Sequence, residues 1–312
     1  MATVGIDLGG TKCLGVAVVD GAVVAEERVA TPREGGEAVL ATMAELARAV
    51  AAASGSPLDG LGVGVPGLVD PDGVLRFAPN LRGAAGLAVR AGLEARLGVP
   101  VEADNDATCA AWGEHELGAA RGLSDVILVT LGTGIGGGIV AGGRIHRGAN
   151  RFAGEVGHMV VDPNGPPCPC GQRGCWERFA SGSGLGILGR DAGMSGRADR
   201  VVELAGGDPE SVRGEHVTLA LAEGDPGAGQ VIAEFAGWVA LGLSNLANIF
   251  DPEAFVIGGG LVDCGDALLD PVRGAFAAQL PGYELRRPIA VLPAALGLSA
   301  GAIGAACLVA AR

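Results

Sequence analysis

Twice in this chain an apolar strand runs into a glycine-rich turn and out into a second apolar strand. The first instance spans residues 4–18 around Asp7-Leu8-Gly9-Gly10-Thr11-Lys12, and the second spans 127–140 around Gly132-Thr133-Gly134-Ile135-Gly136-Gly137-Gly138. Backbone N–H groups reach an anionic oxygen closely only where no Cβ stands in the way, so glycine at such turns suits a phosphate cradle as well as a plain hairpin. A second element also recurs. Gly-Leu-Val-Asp follows a strand at Gly67-Leu68-Val69-Asp70 and again at Gly260-Leu261-Val262-Asp263. Two kinds of element repeated in the same order point to an internal duplication, two related α/β domains in one chain.

The rest of the hydropathy pattern alternates strand and helix. Strands are expected at 4–8, 14–19, 61–65, 99–103, 125–131, 137–141, 254–257 and 288–292. Helices are expected at 37–53, 86–97, 107–117, 230–249, 266–280 and 296–310, with Asp104 or Asn105 available to cap the third. Residues 151–183 are irregular and rich in Gly, Pro and Cys. Such alternation predicts an α/β fold with ligands at the carboxyl ends of the strands.

Charge narrows the function. Lys and Arg number 22 against 35 Asp and Glu, a net charge of −13, which disfavours a protein devoted to nucleic acid or anionic lipid. Hydrophobic residues at 49 % with charged residues at only 18 % exclude disorder. The first residues lack a basic n-region and an apolar h-region, so export is not expected. The charge-free run 294–311 is mostly Ala and Gly, with Gly297, Gly301 and Gly304, and reads as a tightly packed helix, not a membrane span. With no membrane and no exported segment, a reduced cytoplasm is the expected compartment.

That compartment makes the seven cysteines a metal problem, not a disulfide framework. Cys168, Cys170 and Cys175 lie close together among Pro and Gly, with His158 upstream. Three thiolates and one imidazole make a closed tetrahedral zinc site, and so short a loop has little apolar material to fold on otherwise. Cys13, Cys109, Cys264 and Cys307 occupy apolar stretches and read as core, while His115, His146 and His216 have no chemical context.

The glycines at 132, 134 and 137 match G-x-G-x-x-G, but the residues after them read as a strand, whereas a dinucleotide fingerprint opens a helix. No Gly-Lys-Ser/Thr follows either loop, so there is no Walker A motif. A nicotinamide oxidoreductase is therefore rejected. Asp106, beyond a buried strand and before a helix, reads either as a general base or as a helix cap.

Taken together and in order, Asp7-Leu8-Gly9-Gly10-Thr11-Lys12, Asn105-Asp106, the 131–138 loop, Gly154-Glu155-Val156-Gly157-His158 and Cys168-Pro-Cys170-Gly-Gln-Arg-Gly-Cys175-Trp-Glu177 resemble the ROK family, within it the bacterial zinc-containing glucokinases. The resemblance covers essentially the whole chain. It implies an actin-like/hexokinase-like ATPase fold, two duplicated α/β domains closing over ATP and a sugar, with glucose converted to glucose 6-phosphate. The implied small domain is 1–107 with about 300–312, and the large domain is 108–299 with a zinc loop at about 158–178. The implied base is Asp106, and the implied sugar contacts are Asn80, Asn105, Asp106, Glu155, His158 and Glu177. ATP and Mg²⁺ would use Asp7, Gly9, Gly10, Thr11, Lys12, Gly132, Thr133, Gly134, Gly258, Gly259 and Gly260, with Asp7 holding Mg²⁺ through water. Structural Zn²⁺ would sit on His158, Cys168, Cys170 and Cys175, and His158 would pass its second N–H to a sugar hydroxyl. Asn80 reads equally as a turn residue and Lys12 as a solvated one. The same loops serve kinases of fructose, allose and N-acetylmannosamine, and a sugar-responsive ROK regulator is a further alternative. Such regulators carry a helix-turn-helix ahead of the first strand, which 1–3 leave no room for. A homo-oligomer, dimer or tetramer, with neither nucleic acid nor membrane as partner, completes the expectation.

Overall fold

The computed structural model describes residues 2–78, 81 and 83–310. Two five-stranded sheets carry the fold. The first has the order Ala22–Ala30, Lys12–Val19, Ala2–Leu8, Leu58–Val65, Val101–Asn105. Its first three strands pair antiparallel and the last two join parallel. The second has the order Arg144–Ile145, Ile135–Ala141, Val126–Leu131, Ala254–Gly258, Ala290–Pro293. Numbered within itself each sheet reads 3-2-1-4-5, so the duplication suspected from the glycine turns is present in the topology. The repeated Gly-Leu-Val-Asp is not part of it. Leu68–Val69 is a strand, whereas Gly260–Cys264 is a 3-10 helix.

By contacts the chain forms two compact units, Met1–Leu128 with Gly138–Gly154 and Ala295–Arg312, and Val129–Gly137 with Glu155–Ala294. In the first unit the central strands bury an apolar row, with Val4, Ile6, Leu8, Leu61, Val63 and Val65 fully buried, as in strands covered on both faces. The C-terminal helix Ala300–Ala310 lies backbone to backbone on this sheet. A Cβ on Gly5 would strike the Ala302 carbonyl, and one on Gly62 the Ala305 carbonyl. Gly304 is held equally tightly against the Cys109 carbonyl. The Ala/Gly run therefore exists for close packing, and at 11 residues the helix is too short to cross a bilayer.

Helix Asp106–Glu116 belongs to this first unit, whereas the sequence placed a boundary at 107/108. Glu114, fully buried, explains the difference: its carboxylate accepts N–H groups from Ala119 at 2.7 Å, Ala295 at 3.1 Å and Leu296 at 2.8 Å, tying the helix to the C-terminal segment. Residues 86–97, expected to be one helix, divide into a short strand, Leu87–Ala88, and helix Val89–Leu97.

The second unit contains four helices that the sequence left unread, the single turn Glu177–Ala180 and the helices Gly182–Met194, Asp199–Leu204 and Gly214–Ala222. Their glycines and short lengths blur the helical period. The long helix Pro226–Phe250 starts on a clear signal: the Asp225 carboxylate accepts the Ala228 N–H at 2.7 Å with Pro226 in the first turn. This helix is long and apolar enough to cross a membrane by length and composition, but Val231, Phe235, Val239, Leu243 and Leu246 are buried within the unit.

Candidate functional site

In the first unit the strand Ala2–Leu8 ends beside the turn at Gly9-Gly10-Thr11. Gly9 N–H donates to the Lys12 carbonyl at 2.9 Å, where a Cβ on Gly9 would intrude. Thr31 locks the turn from the third strand: its hydroxyl donates to the Gly9 carbonyl at 2.7 Å and its N–H to the Thr11 carbonyl at 3.0 Å. Gly10, Thr11 and Lys12 are exposed. Two carboxylates face one another here electrostatically. Burial first, and the Asp106 carboxylate second, push Asp7 up to about 7.

Asp106 is relieved of the capping role by its neighbour. Asn105 is the helix cap, its Oδ1 accepting the Thr108 N–H at 3.0 Å, while its Nδ2 donates to the Gly67 carbonyl at 3.2 Å. Asp106 begins the helix itself, with Oδ1 accepting the Ala107 N–H at 2.8 Å. Asp104, offered by the sequence as an alternative cap, is instead a buried ion-pair partner of Arg147 and Arg151.

The Asp7 shift has a measurable consequence. A carboxyl whose pKa is near 7 folded, against 3.8 as an ordinary aspartate, keeps a proton in the native state that the unfolded chain loses. Stability from this group is therefore full below about pH 4 and drains away as pH rises to about 7. Asp7→Asn removes the ionisation. In buffer free of divalent cations the variant should match wild type near pH 4 and exceed it at pH 8, by up to about 4 kcal/mol, in urea unfolding. Equal stability at pH 8 would show that Asp7 ionises without cost.

In the second unit, His158, Cys168, Cys170 and Cys175 bring their donor atoms within 4.8 Å of one another. Cys170 and Cys175 sulfurs are 3.6 Å apart, and Cys168 Sγ is 3.7 Å from His158 Nδ1. The edges of a zinc tetrahedron with three sulfurs and one nitrogen are about 3.5 to 3.8 Å. Two of the six edges are thus already at tetrahedral length, and the four donors are of the type and number that hold one zinc ion. The loop is anchored next door by Trp176, fully buried, whose Nε1 donates to the Trp238 carbonyl at 2.8 Å. Gly242 leaves the room its indole occupies.

The same loop gathers three polar groups. Glu155 Oε2 lies 3.9 Å from His158 Nε2, so the ring uses opposite edges for the metal set and for this carboxylate. Burial raises the Glu155 carboxyl above its ordinary range, with His158 opposing and Glu177 adding to the shift. Glu177, just past Cys175, accepts the Ile135 N–H on Oε2 at 3.0 Å, and a Cβ on Gly134 would collide with it.

That bond joins the loop to the second glycine turn, which is tighter than the sequence implied. Only Gly132-Thr133-Gly134 form the turn, closed by the Gly132 N–H to the Gly134 carbonyl at 3.0 Å. Ile135–Ala141 is already strand. Gly138 is needed because a side chain there would meet Ala107 and Ala111, so this glycine serves packing. The turn rests on the start of helix Gly182–Met194: Gly182 N–H donates to the Gly132 carbonyl at 2.7 Å and the Ser183 hydroxyl to the Thr133 carbonyl at 2.8 Å, with Ser181 as cap. Gly259, at φ 83°, leaves no room for a Cβ, which would strike the Leu131 backbone. Around these glycines opens a cleft of about 900 Å³, bordered by Thr133, Ser183, Arg190, Arg213, Glu215 and Gly260. A helix N-terminus and bare backbone at one end of a cleft that size suit a phosphate-bearing ligand.

Within the first unit, then, Asp7 and the Gly9–Lys12 turn at the end of Ala2–Leu8, and Asn105 and Asp106 at the end of Val101–Asn105, belong to one sheet with the parallel strand Leu58–Val65 between them. Within the second, Glu155, His158 and Glu177 gather beside the thiol cluster, and Gly132, Thr133 and Gly260 line the cleft, whereas Gly134, Gly258 and Gly259 do not. Asn80 lies outside the described residues. Thr31, Ser181, Arg147 and Arg151 were missed, and Asp104 was read only as a possible cap; of the four missed, Ser181, just ahead of a helix, carried a local capping signal.

Two sheets of identical strand order with glycine turns at their strand ends define the actin-like/hexokinase-like class of α/β proteins. The chain belongs to the ROK family, whose model matches residues 3–312. Glucokinase of Streptomyces coelicolor is 39 % identical over 310 residues, 98 % of this chain and 96 % of that one. The structure of a ROK family glucokinase from Streptomyces griseus in complex with glucose and AMPPNP superposes with a TM-score of 0.85 at 38 % identity, covering 99 % of each chain. The xylose repressor of Bacillus subtilis is 31 % identical over 254 residues, 81 % of this chain but 61 % of the repressor.

Proposed function

We propose that this protein is a glucokinase, transferring the terminal phosphoryl group of ATP to the 6-hydroxyl of glucose. The observation that carries the reading is the likeness, over nearly the full length of both chains, to the glucokinase bound to glucose and AMPPNP. The carboxylate pair and glycine turns supply what phosphoryl transfer asks of a protein: positioning, charge neutralisation and a proton acceptor. Asp106 accepts the hydroxyl proton. Asn80, Asn105, Glu155, His158 and Glu177 hold the sugar hydroxyls, the amides donating or accepting, the carboxylates accepting and the second His158 N–H donating. Gly9, Gly10, Thr11 and Lys12, with Gly132, Thr133, Gly134 and Gly258, Gly259 and Gly260, hold the nucleotide through backbone and hydroxyl donors. Magnesium, held through water by Asp7, would neutralise phosphate charge when bound. Zinc on His158, Cys168, Cys170 and Cys175 would be structural, since four protein donors leave no open position. We further infer that the two compact units act as the small and large domains, that the enzyme is a cytoplasmic homo-oligomer serving glycolysis, and that neither nucleic acid nor membrane is its partner.

The test is ADP release by the purified protein with ATP and Mg²⁺ over a panel of hexoses and N-acetylhexosamines. Glucose should give the highest kcat/KM, with slow ATP hydrolysis when sugar is absent. Preference for fructose, allose or N-acetylmannosamine would move the substrate within the family, and no turnover of any sugar would favour a regulatory role.

A further inference from the structure

The first unit holds another cleft, of about 450 Å³, whose wall contains none of the residues assigned above to nucleotide or sugar. In a chain with a net charge of −13, Arg144, Arg147 and Arg151 all line it. Asp104, 1 % exposed, sits behind them and accepts Arg147 Nε at 2.6 Å and Arg151 Nη2 at 2.9 Å on the same Oδ2. This arrangement leaves both terminal nitrogens of Arg147 and Nη1 of Arg151 without a hydrogen-bond partner among the described residues. Arg144 has no ion-pair partner among the described residues. Glu102, the one acid among the described lining residues, is already bonded by Arg90 at 3.3 Å. The cleft is therefore positive, and Asp104 fixes the orientation of two guanidinium forks without filling them.

One further observation points to an occupant. Arg151 Nε and Trp112 Nε1 are buried with no acceptor among the described residues, although buried donors ordinarily have one. The remaining wall is apolar, formed by Trp112, Ile145 and Leu308.

We propose that this cleft is a second anion site, binding a small phosphomonoester with its phosphate on Arg144, Arg147 and Arg151 and its carbon skeleton against Trp112 and Ile145. Inorganic phosphate shares the charge chemistry and is the other source of such an anion. The site is one residue removed from the proposed base pair, because Asp104 leads directly into Asn105 and Asp106. It does not depend on the reaction assigned above, since its readout is binding.

Calorimetric titration of the full chain with glucose 6-phosphate, and separately with inorganic phosphate, tests it. Both titrations are run with glucose and AMPPNP saturating, so that the sites of the proposed reaction are filled. If those two ligands fail to bind, the kinase reading falls, while the phosphate titration still reports on this cleft. One equivalent of ligand should bind, and Arg144→Glu should weaken it about tenfold or more without changing the unfolding midpoint, because Arg144 is exposed and unpaired. Arg144→Ser gives the same answer if the charge reversal disturbs folding. Tighter binding of glucose 6-phosphate supports the phosphomonoester, and loss of phosphate binding in the Arg144 variants with no preference for the sugar phosphate supports an anion site for free phosphate. Absence of saturable binding by either ligand, or binding that Arg144 variants leave unchanged, overturns the proposal.

Discussion

Asp106→Asn should lower turnover with ATP and glucose by about 10² to 10⁴, the usual loss when a general base is removed. The substitution is nearly isosteric, and the helix start should survive it, because Asn105 and not Asp106 caps the helix, accepting the Thr108 N–H at 3.0 Å. The amide oxygen introduced by the substitution would still accept the Ala107 N–H. Glucose affinity, measured by calorimetry, should therefore change little while kcat falls. The Asp7 carboxyl, raised partly by the Asp106 charge, should also relax toward its ordinary range in the variant. More than about a tenth of wild-type turnover would remove Asp106 from the role of base.

Cys175→Ala should release the metal and weaken glucose binding by about tenfold or more, a loss typical of disrupted metal supports. Wild type should hold one zinc per chain by elemental analysis, and a metal-free wild type would end the idea. From chain position alone the nucleotide loops at Gly9-Gly10 and 132–138 would be expected to stay intact, being far from the cysteines. The second-unit geometry changes that expectation for the 132–138 loop. Glu177 accepts the Ile135 N–H at 3.0 Å, and Gly157 packs on the Ile135 backbone, so the thiol loop supports the second glycine turn directly. Nucleotide affinity should fall as well, by a smaller factor than glucose affinity, in parallel titrations. Equal losses for both ligands would make the metal a scaffold for the whole unit without a special link to the sugar.

Much of this was legible in the residues themselves. The clustering of the three thiols could be read from spacing because Cys168, Cys170 and Cys175 are so close in sequence that their loop geometry restricts where the sulfurs can go. Helices with an unbroken 3.6-residue period, such as Pro226–Phe250, were placed to within a few residues, as were the buried strands. The glycine turns were found because only glycine permits the backbone approach they make. Where the period was blurred, as in Gly182–Met194, local pattern gave no signal although the helix is well formed.

The sequence by itself determined the alternation of strands and helices, the duplicated glycine turns, the thiol cluster and the Asn105-Asp106 pair. Tertiary structure alone decided which of these glycines are required by packing, as Gly138 is against Ala107 and Ala111. It also decided that Asn105 and not Asp106 takes the cap, a choice that three successive polar residues left open. Asp104 with Arg147 and Arg151, 43 and 47 residues away, and Glu114 with Ala295, 181 residues away, had no local signature. Periodicity and capping are set by neighbours within a few residues along the chain, so they can be read from it. A buried carboxylate's partners are set by which distant segments the fold brings within about 3 Å, and that information exists only once the chain has folded.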